Sequence, residues 1–184
     1  VARRRLFVAA ELDDRAREAC AHVAGRLRAR RWPGRWVAPE NYHLTVAFLG
    51  GIEDERVAAV GETLRALAPE QRPFALTLDA VGAFPSTARP RVAWAGPRRP
   101  VAAFTALSTA VREALSALGF VFEERAEPHV TLARADGRTP LPPVAAPAAA
   151  LQVERLTLFE SFTQQAGARY VPLERFDLGS GEQA

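Results

Sequence analysis

Two short stretches of this chain share one form. Tyr42-His43-Leu44-Thr45-Val46-Ala47-Phe48 and Pro128-His129-Val130-Thr131-Leu132-Ala133-Arg134 both read His-x-Thr-x-Ala with apolar x. On a β-strand, side chains alternate between the two faces. His43 and Thr45 then share a face, about 6.6–7 Å apart along the strand. Leu44, Val46 and Phe48 face the other way, into a core. In the second stretch His129 and Thr131 share a face, with Val130 and Leu132 opposed to them. The chain has three histidines, and two stand in this motif. Whatever the fold, it must present an imidazole and a hydroxyl together on the non-core side of a rigid element, twice.

The rest of the chain supports a folded, core-bearing molecule. It has 184 residues, of which 48% are hydrophobic, so it suits one domain or two small lobes. The formal net charge is only +3, yet the sequence pI is about 9.9. That arginine-driven balance mildly favours anionic partners, although a solvated basic surface gives the same numbers. The single cysteine, Cys20, excludes an internal disulfide and fits a reducing, cytoplasmic setting. The apolar run after Arg3-Arg4-Arg5 stops at Glu11, too soon for a secretion signal. No stretch reaches the roughly 18 apolar residues of a membrane span, so no membrane association is expected.

Taken in order, residues 4–11 read as a strand. Residues 12–30 carry Leu12, Ala16, Ala19, Val23 and Leu27 at helical spacing. His22 stands beside that stripe with no second ligand near it, as a surface histidine does. Trp32-Pro33-Gly34 ends the helix, and Gly50-Gly51 is expected to close the first motif strand. Residues 53–67 form a second helix with Val57, Val60, Leu64 and Leu67 on one side. A single strand is expected over 74–81, then a turn-rich loop from Gly82 to Pro90, then a strand over 91–95. A third helix covers 101–118, with Gly119 as its C-cap. A short strand at 120–122 and a charged turn lead to the second motif. Residues 138–150 are rich in proline and alanine and read as a surface connection. One strand is expected over 151–162, joined by a turn at 165–167 to a hairpin partner over 168–173.

Strands mixed with three helices and hairpin-like connections argue for α+β with antiparallel sheets. The expected architecture is bilobal. Two antiparallel sheets face each other across a central cleft, with helices outside, a pseudo-twofold arrangement and one His-x-Thr pair on each wall. Residues 1–178 make one bilobal domain, and 179–184 a flexible tail.

Two histidines on opposite walls form an acid–base pair, one neutral and accepting a proton, the other charged and donating one. In-line displacement at phosphorus uses both roles. Threonine hydroxyls two residues on can donate to the non-bridging phosphate oxygens, which gain charge in the transition state. Arg134 follows Thr131 by three, so on a regular strand it faces away and reaches the phosphate only from a strand end or a bulge. Two histidines with no cysteine or carboxylate pattern make a poor zinc site. There is no nucleophile elbow, Walker loop or dinucleotide-binding glycine pattern.

The sequence resembles the two-histidine (2H) phosphoesterase superfamily, and within it the RNA 2′,3′-cyclic phosphodiesterases once called 2′-5′ RNA ligases. The matching stretches are Arg5-Leu6-Phe7-Val8-Ala9, the two His-x-Thr motifs, Phe48-Leu49-Gly50, Gly82-Ala83-Phe84-Pro85, Pro90 to Gly96 and Leu158-Phe159-Glu160-Ser161. The resemblance covers nearly the whole chain, from about Arg5 to Leu178. The resemblance implies a metal-independent hydrolase without a cofactor. It implies that a 2′,3′-cyclic phosphate at an RNA 3′ end, or on a nucleoside, is opened to a 2′-phosphate. By analogy His43 is the proton donor and His129 the proton acceptor; the residues alone leave that assignment open. Thr45, Thr131 and Arg134 would hold the phosphate. Phe48 or Phe84 would stack on a base, with core packing the equal alternative, since Phe48 shares the core face of its strand.

Three readings stand side by side at this point. The first is the hydrolase, acting as a monomer. The second runs the reaction backwards, joining tRNA halves through a 2′-5′ linkage. The third is a non-catalytic RNA-end binding module, in which wild type turns over no cyclic phosphate.

Overall fold

The computed structural model describes residues 3–123, 125–165 and 167–180. The expected α+β class with antiparallel strands is what it shows. Ten strands and three α-helices follow in the order β1 (Arg3–Glu11), α1 (Asp14–Ala29), β2 (Arg35–Trp36), β3 (His43–Glu53), α2 (Val57–Leu67), β4 (Phe74–Leu78), β5 (Ala80–Phe84), β6 (Val92–Gly96), α3 (Ala102–Ser116), β7 (Val130–Arg134), β8 (Ala149–Val153), β9 (Arg155–Gln164) and β10 (Gly167–Asp177).

The two walls are halves of one sheet rather than separate sheets. Its order is β10-β9-β1-β3-β7-β6-β5, with β2 also paired to β7. The halves meet at a single residue pair, Leu44 with Val130. So narrow a seam lets the sheet fold about it, and the two motif strands are the strands at the fold. The second sheet is a separate two-stranded one, β4 with β8.

The helices cross over. Helix α1 follows β1 of the first half and packs on β7 of the second. Helix α3 follows β6 of the second half and packs on β3 of the first. Each motif strand therefore has its core face covered by a helix connected through the opposite half. In α1, Asp13 caps the first turn by accepting from the Ala16 amide at 2.7 Å, and Ala16, Cys20, Val23, Ala24 and Leu27 form the buried stripe. His22 is exposed. Helix α3 ends at Ser116 with Ala117, not the expected Gly119, as its C-cap; Gly119 follows at φ +87°, the left-handed conformation that favours glycine.

Several boundaries differ from expectation. The run 74–81 is two strands in two sheets, parted at Asp79, whose carboxylate accepts the Arg98 amide. The run 151–162 likewise divides at Glu154 into β8 and β9. Gly50-Gly51 does not end β3: Gly50 takes φ +73° and the strand continues to Glu53. Helix α2 is preceded by a separate 3-10 turn at Asp54–Arg56. No strand forms at 120–122; Phe120 packs under Arg56 instead. Within 138–150, Leu141 is buried and β8 begins at Ala149. Of the expected tail, Gly179 donates its amide to Gln71, and residues 181–184 lie outside the described residues. No helix among the described residues is long and apolar enough to cross a membrane.

Candidate active site

His43 opens β3, and His129 stands immediately before β7. Each ring is anchored the same way. His43 Nδ1 lies 2.7 Å from the Asn41 carbonyl oxygen, and His129 Nδ1 lies 2.8 Å from that of Glu127. A carbonyl only accepts, so each Nδ1 carries the proton and donates it. That leaves each Nε2 as the free nitrogen, an acceptor when the ring is neutral and a donor when it is charged.

Beyond the threonines, simple alternation breaks, and it breaks identically in both copies. Val8 pairs with Ala47 and Ala9 with Thr45, so Val46 is an extra residue on β3. Ala93 pairs with Ala133 and Trp94 with Thr131, so Leu132 is an extra residue on β7. Each is a β-bulge. Both bulges put two consecutive residues into the core, Val46-Ala47 and Leu132-Ala133. The residue three past each threonine then turns back to the histidine face. In the first copy that residue is Phe48, which is 60% exposed, and the expectation that it packs in the core is overturned. In the second copy it is Arg134, which the bulge delivers to the cleft.

A cavity of about 590 Å³ lies between the two halves of the sheet and brings these side chains together. His43, Thr45 and Phe48 line it from one side, and His129, Thr131 and Arg134 from the other. Arg5 also lines it, and no carboxylate among the described residues does. Such a cleft attracts anions. Among the described residues no three His, Cys, Asp or Glu side chains cluster as a metal site.

The aromatic setting differs between the rings. His43 packs at 4.8 Å on Phe7 and edge-on at 5.2 Å on Tyr170, over a small apolar cluster that includes Phe159. His129 meets the edge of Phe84 at 5.0 Å. Phe84 rests on Trp94, whose ring occupies the space that a Cβ at Gly82 would need. Burial disfavours the charged imidazole, and the nearby Arg134 adds repulsion. The His43 pKa falls from 6.5 to about 4. That of His129 also falls through burial, opposed by the Glu127 carbonyl bond and carboxylate.

The arrangement can be set beside known proteins. The profile of the LigT like Phosphoesterase family matches residues 10–94. An RNA 2′,3′-cyclic phosphodiesterase of Escherichia coli is 34% identical over 178 residues, covering 95% of this chain and 96% of the relative. One of Geobacillus stearothermophilus is 35% identical over 76% of this chain, which spans only 45% of that longer relative. The crystal structure of E. coli LigT complexed with 3′-AMP superposes with a TM-score of 0.79 at 32% identity, covering 97% of this chain and 99% of the other. This chain belongs to the LigT-like phosphoesterase family.

Every candidate residue named from the sequence lines the LigT-like cleft: His43, His129, Thr45, Thr131, Arg134, Phe48 and Phe84. Phe84 is placed against His129 as well as beside the cavity, so its first role here is to pack the ring. Four polar lining residues carried no assignment from the sequence: Arg5 on β1, Ser161 and Thr163 on β9, and Tyr170 on β10. A signal for them exists. Arg5 and Phe7 alternate on β1, and Phe159, Ser161 and Thr163 alternate on β9, facing the cleft. Their meeting His43 depends on which strands pair, which alternation does not reveal.

Proposed function

We propose that this chain is an RNA 2′,3′-cyclic phosphodiesterase that opens a terminal 2′,3′-cyclic phosphate to a 2′-phosphate. The observation that carries the reading is the pair of Nδ1-anchored imidazoles from opposite halves of the sheet, lining one cationic cavity. The names of its family relatives and the nucleotide bound by E. coli LigT support it.

In this reading His129 Nε2 takes a proton from water as the water oxygen attacks phosphorus. The bond from phosphorus to the 3′ oxygen breaks, and His43 Nε2–H gives its proton to that oxygen. Thr45, Thr131 and Arg134 donate to the non-bridging oxygens as charge builds on them. With both pKa values held below 6.5, both rings on their own are neutral at neutral pH. The donor therefore acquires its proton with the substrate, because the phosphodiester anion favours the imidazolium beside it. The buried, unpaired Cys20 supports a reducing, cytoplasmic setting.

The test is turnover of an oligoribonucleotide ending in a 2′,3′-cyclic phosphate, with EDTA present, by wild type, His43→Ala and His129→Ala. The reading requires a 2′-phosphate product that both variants fail to form. A wild type that binds the oligonucleotide but leaves the ring closed refutes it.

A further inference from the structure

At each bulge the carbonyl of the extra residue accepts from a donor outside the bulged strand pair. In β7 it is the Leu132 carbonyl, which accepts the Val37 amide at 2.9 Å. In β3 it is the Val46 carbonyl, and its donors are side chains of α3. Ser108 Oγ donates to it at 3.1 Å and Arg112 Nε at 3.3 Å. Ser108 is only 3% exposed and lies on the buried face of α3. A hydroxyl there needs a reason, since a buried polar group without a partner is costly. The guanidinium of Arg112 also lies over the Phe122 ring, which fixes its side chain from the other side.

We propose that Ser108 and Arg112 are positioning residues that hold the Val46 bulge and through it keep Phe48 in the cleft as the wall that meets the substrate's base. Thr45 stands on the ladder opposite Ala9, before the bulge, and is held by that pairing. Phe48 stands after it, opposite Phe7, with the two rings 6.0 Å apart. Phe48 also borders a second register shift, between Leu6 and Phe7, so loosening the Val46 bulge acts on Phe48 more than on Thr45. It weakens base binding and leaves the phosphate chemistry largely intact. The inference rests on the proposed cyclic phosphodiesterase activity for the identity of the ligand.

The experiment is a double-mutant cycle on hydrolysis of adenosine 2′,3′-cyclic phosphate, using Ser108→Ala, Phe48→Ala and the pair. Ser108→Thr serves as the hydroxyl-retaining variant, and melting temperature as the check on folding. Ser108→Ala is expected to raise KM about three- to tenfold with kcat nearly unchanged, the size of one lost hydrogen bond. In the Phe48→Ala background the same change should do almost nothing, and Ser108→Thr should restore KM. Additive effects, a loss confined to kcat, or an unchanged KM in Phe48→Ala overturns the proposal. If wild type opens neither this nucleotide nor an oligoribonucleotide 2′,3′-cyclic phosphate, the proposed function falls by itself. The same cycle on the Kd of adenosine 2′-monophosphate then decides the positioning role, with the same non-additivity required.

Discussion

The two copies of the motif agree up to the threonine and diverge three residues later. Both histidines are tied through Nδ1 to the carbonyl two residues back. Both strands bulge one residue after the threonine. Yet the side chain that each bulge turns into the cleft is Phe48 in one copy and Arg134 in the other. One wall thus offers a π-face and the other a fixed cation with a planar fork of donors. A nucleotide phosphate has both an apolar end and an anionic end. A symmetric scaffold has here been made polar at one position, and under the proposed activity that position would orient an asymmetric ligand. On that proposal the shared part of the motif would carry the proton chemistry, and the unshared part would set the direction in which substrate lies.

Removing either shared ring should have the largest effect. His43→Ala and His129→Ala are each expected to lower kcat by about 10²–10⁴-fold, the usual worth of a positioned acid or base. Single-turnover assays on a cyclic-phosphate oligonucleotide measure it, and near-wild-type rates in either variant break the symmetry of roles. Arg134→Ala should cost about 10²-fold in kcat/KM, the scale of one lost donor to a developing oxyanion. Arg134→Lys should recover only part of this, because the ammonium lacks the fork. Phe48→Ala should raise KM about tenfold for a nucleoside 2′,3′-cyclic phosphate, in the range of one base–aromatic stack. If Phe48→Ala lowers kcat more than Arg134→Ala does, the division into a base wall and a phosphate wall is wrong.

How much of this was legible follows from where alternation holds. It holds from His43 to Val46 and from His129 to Leu132, so the pairing of imidazole with hydroxyl was readable, as was the apolar side beneath. It fails at the extra residues, because a bulge is fixed by the partner strand and by donors for its carbonyl. Val46 needs Ser108 and Arg112, distant in sequence, and Leu132 needs Val37. Phe48 was accordingly assigned to the wrong face, whereas for Arg134 the conflict with alternation itself called for a strand end or a bulge, and a bulge is present. The consecutive apolar pairs Val46-Ala47 and Leu132-Ala133 were the only local trace. The breaks at Asp79 and Glu154 left a faint local trace, since the apolar phase shifts from Phe74, Leu76 and Leu78 to Val81, and from Leu151 and Val153 to Leu156 and Leu158. The change of sheet itself is decided by which strands are free to pair. The helix stripes depend on nothing distant, and α1 and α3 were read to within two residues at each end, while α2 begins four residues later than expected, after the 3-10 turn at Asp54–Arg56.

The smallest expected effect is on stability, and it sharpens the comparison of the two rings. A histidine whose pKa is lowered by folding binds its proton more readily in the unfolded chain. Above 6.5 both states are neutral and the shift contributes nothing. Between 6.5 and about 4 the unfolded chain gains protons that His43 in the folded state refuses, so stability falls as pH falls. His129 acts in the same direction but more weakly, because Glu127 partly offsets its burial. The loss traceable to His43 is on the order of 2 kcal/mol, or about 4–8 °C in melting temperature. Glu11, whose pKa is lowered mainly by its bond to Arg175, loses stability in the same direction as it is protonated. The measurement is therefore a difference: melting temperature against pH for wild type, His43→Gln and His129→Gln. His43→Gln should flatten the curve between pH 6.5 and 4 more than His129→Gln does. Equal flattening would mean that the aromatic packing of His43 on Phe7 and Tyr170 does not set the two rings apart, and that their environments differ less than their neighbours suggest.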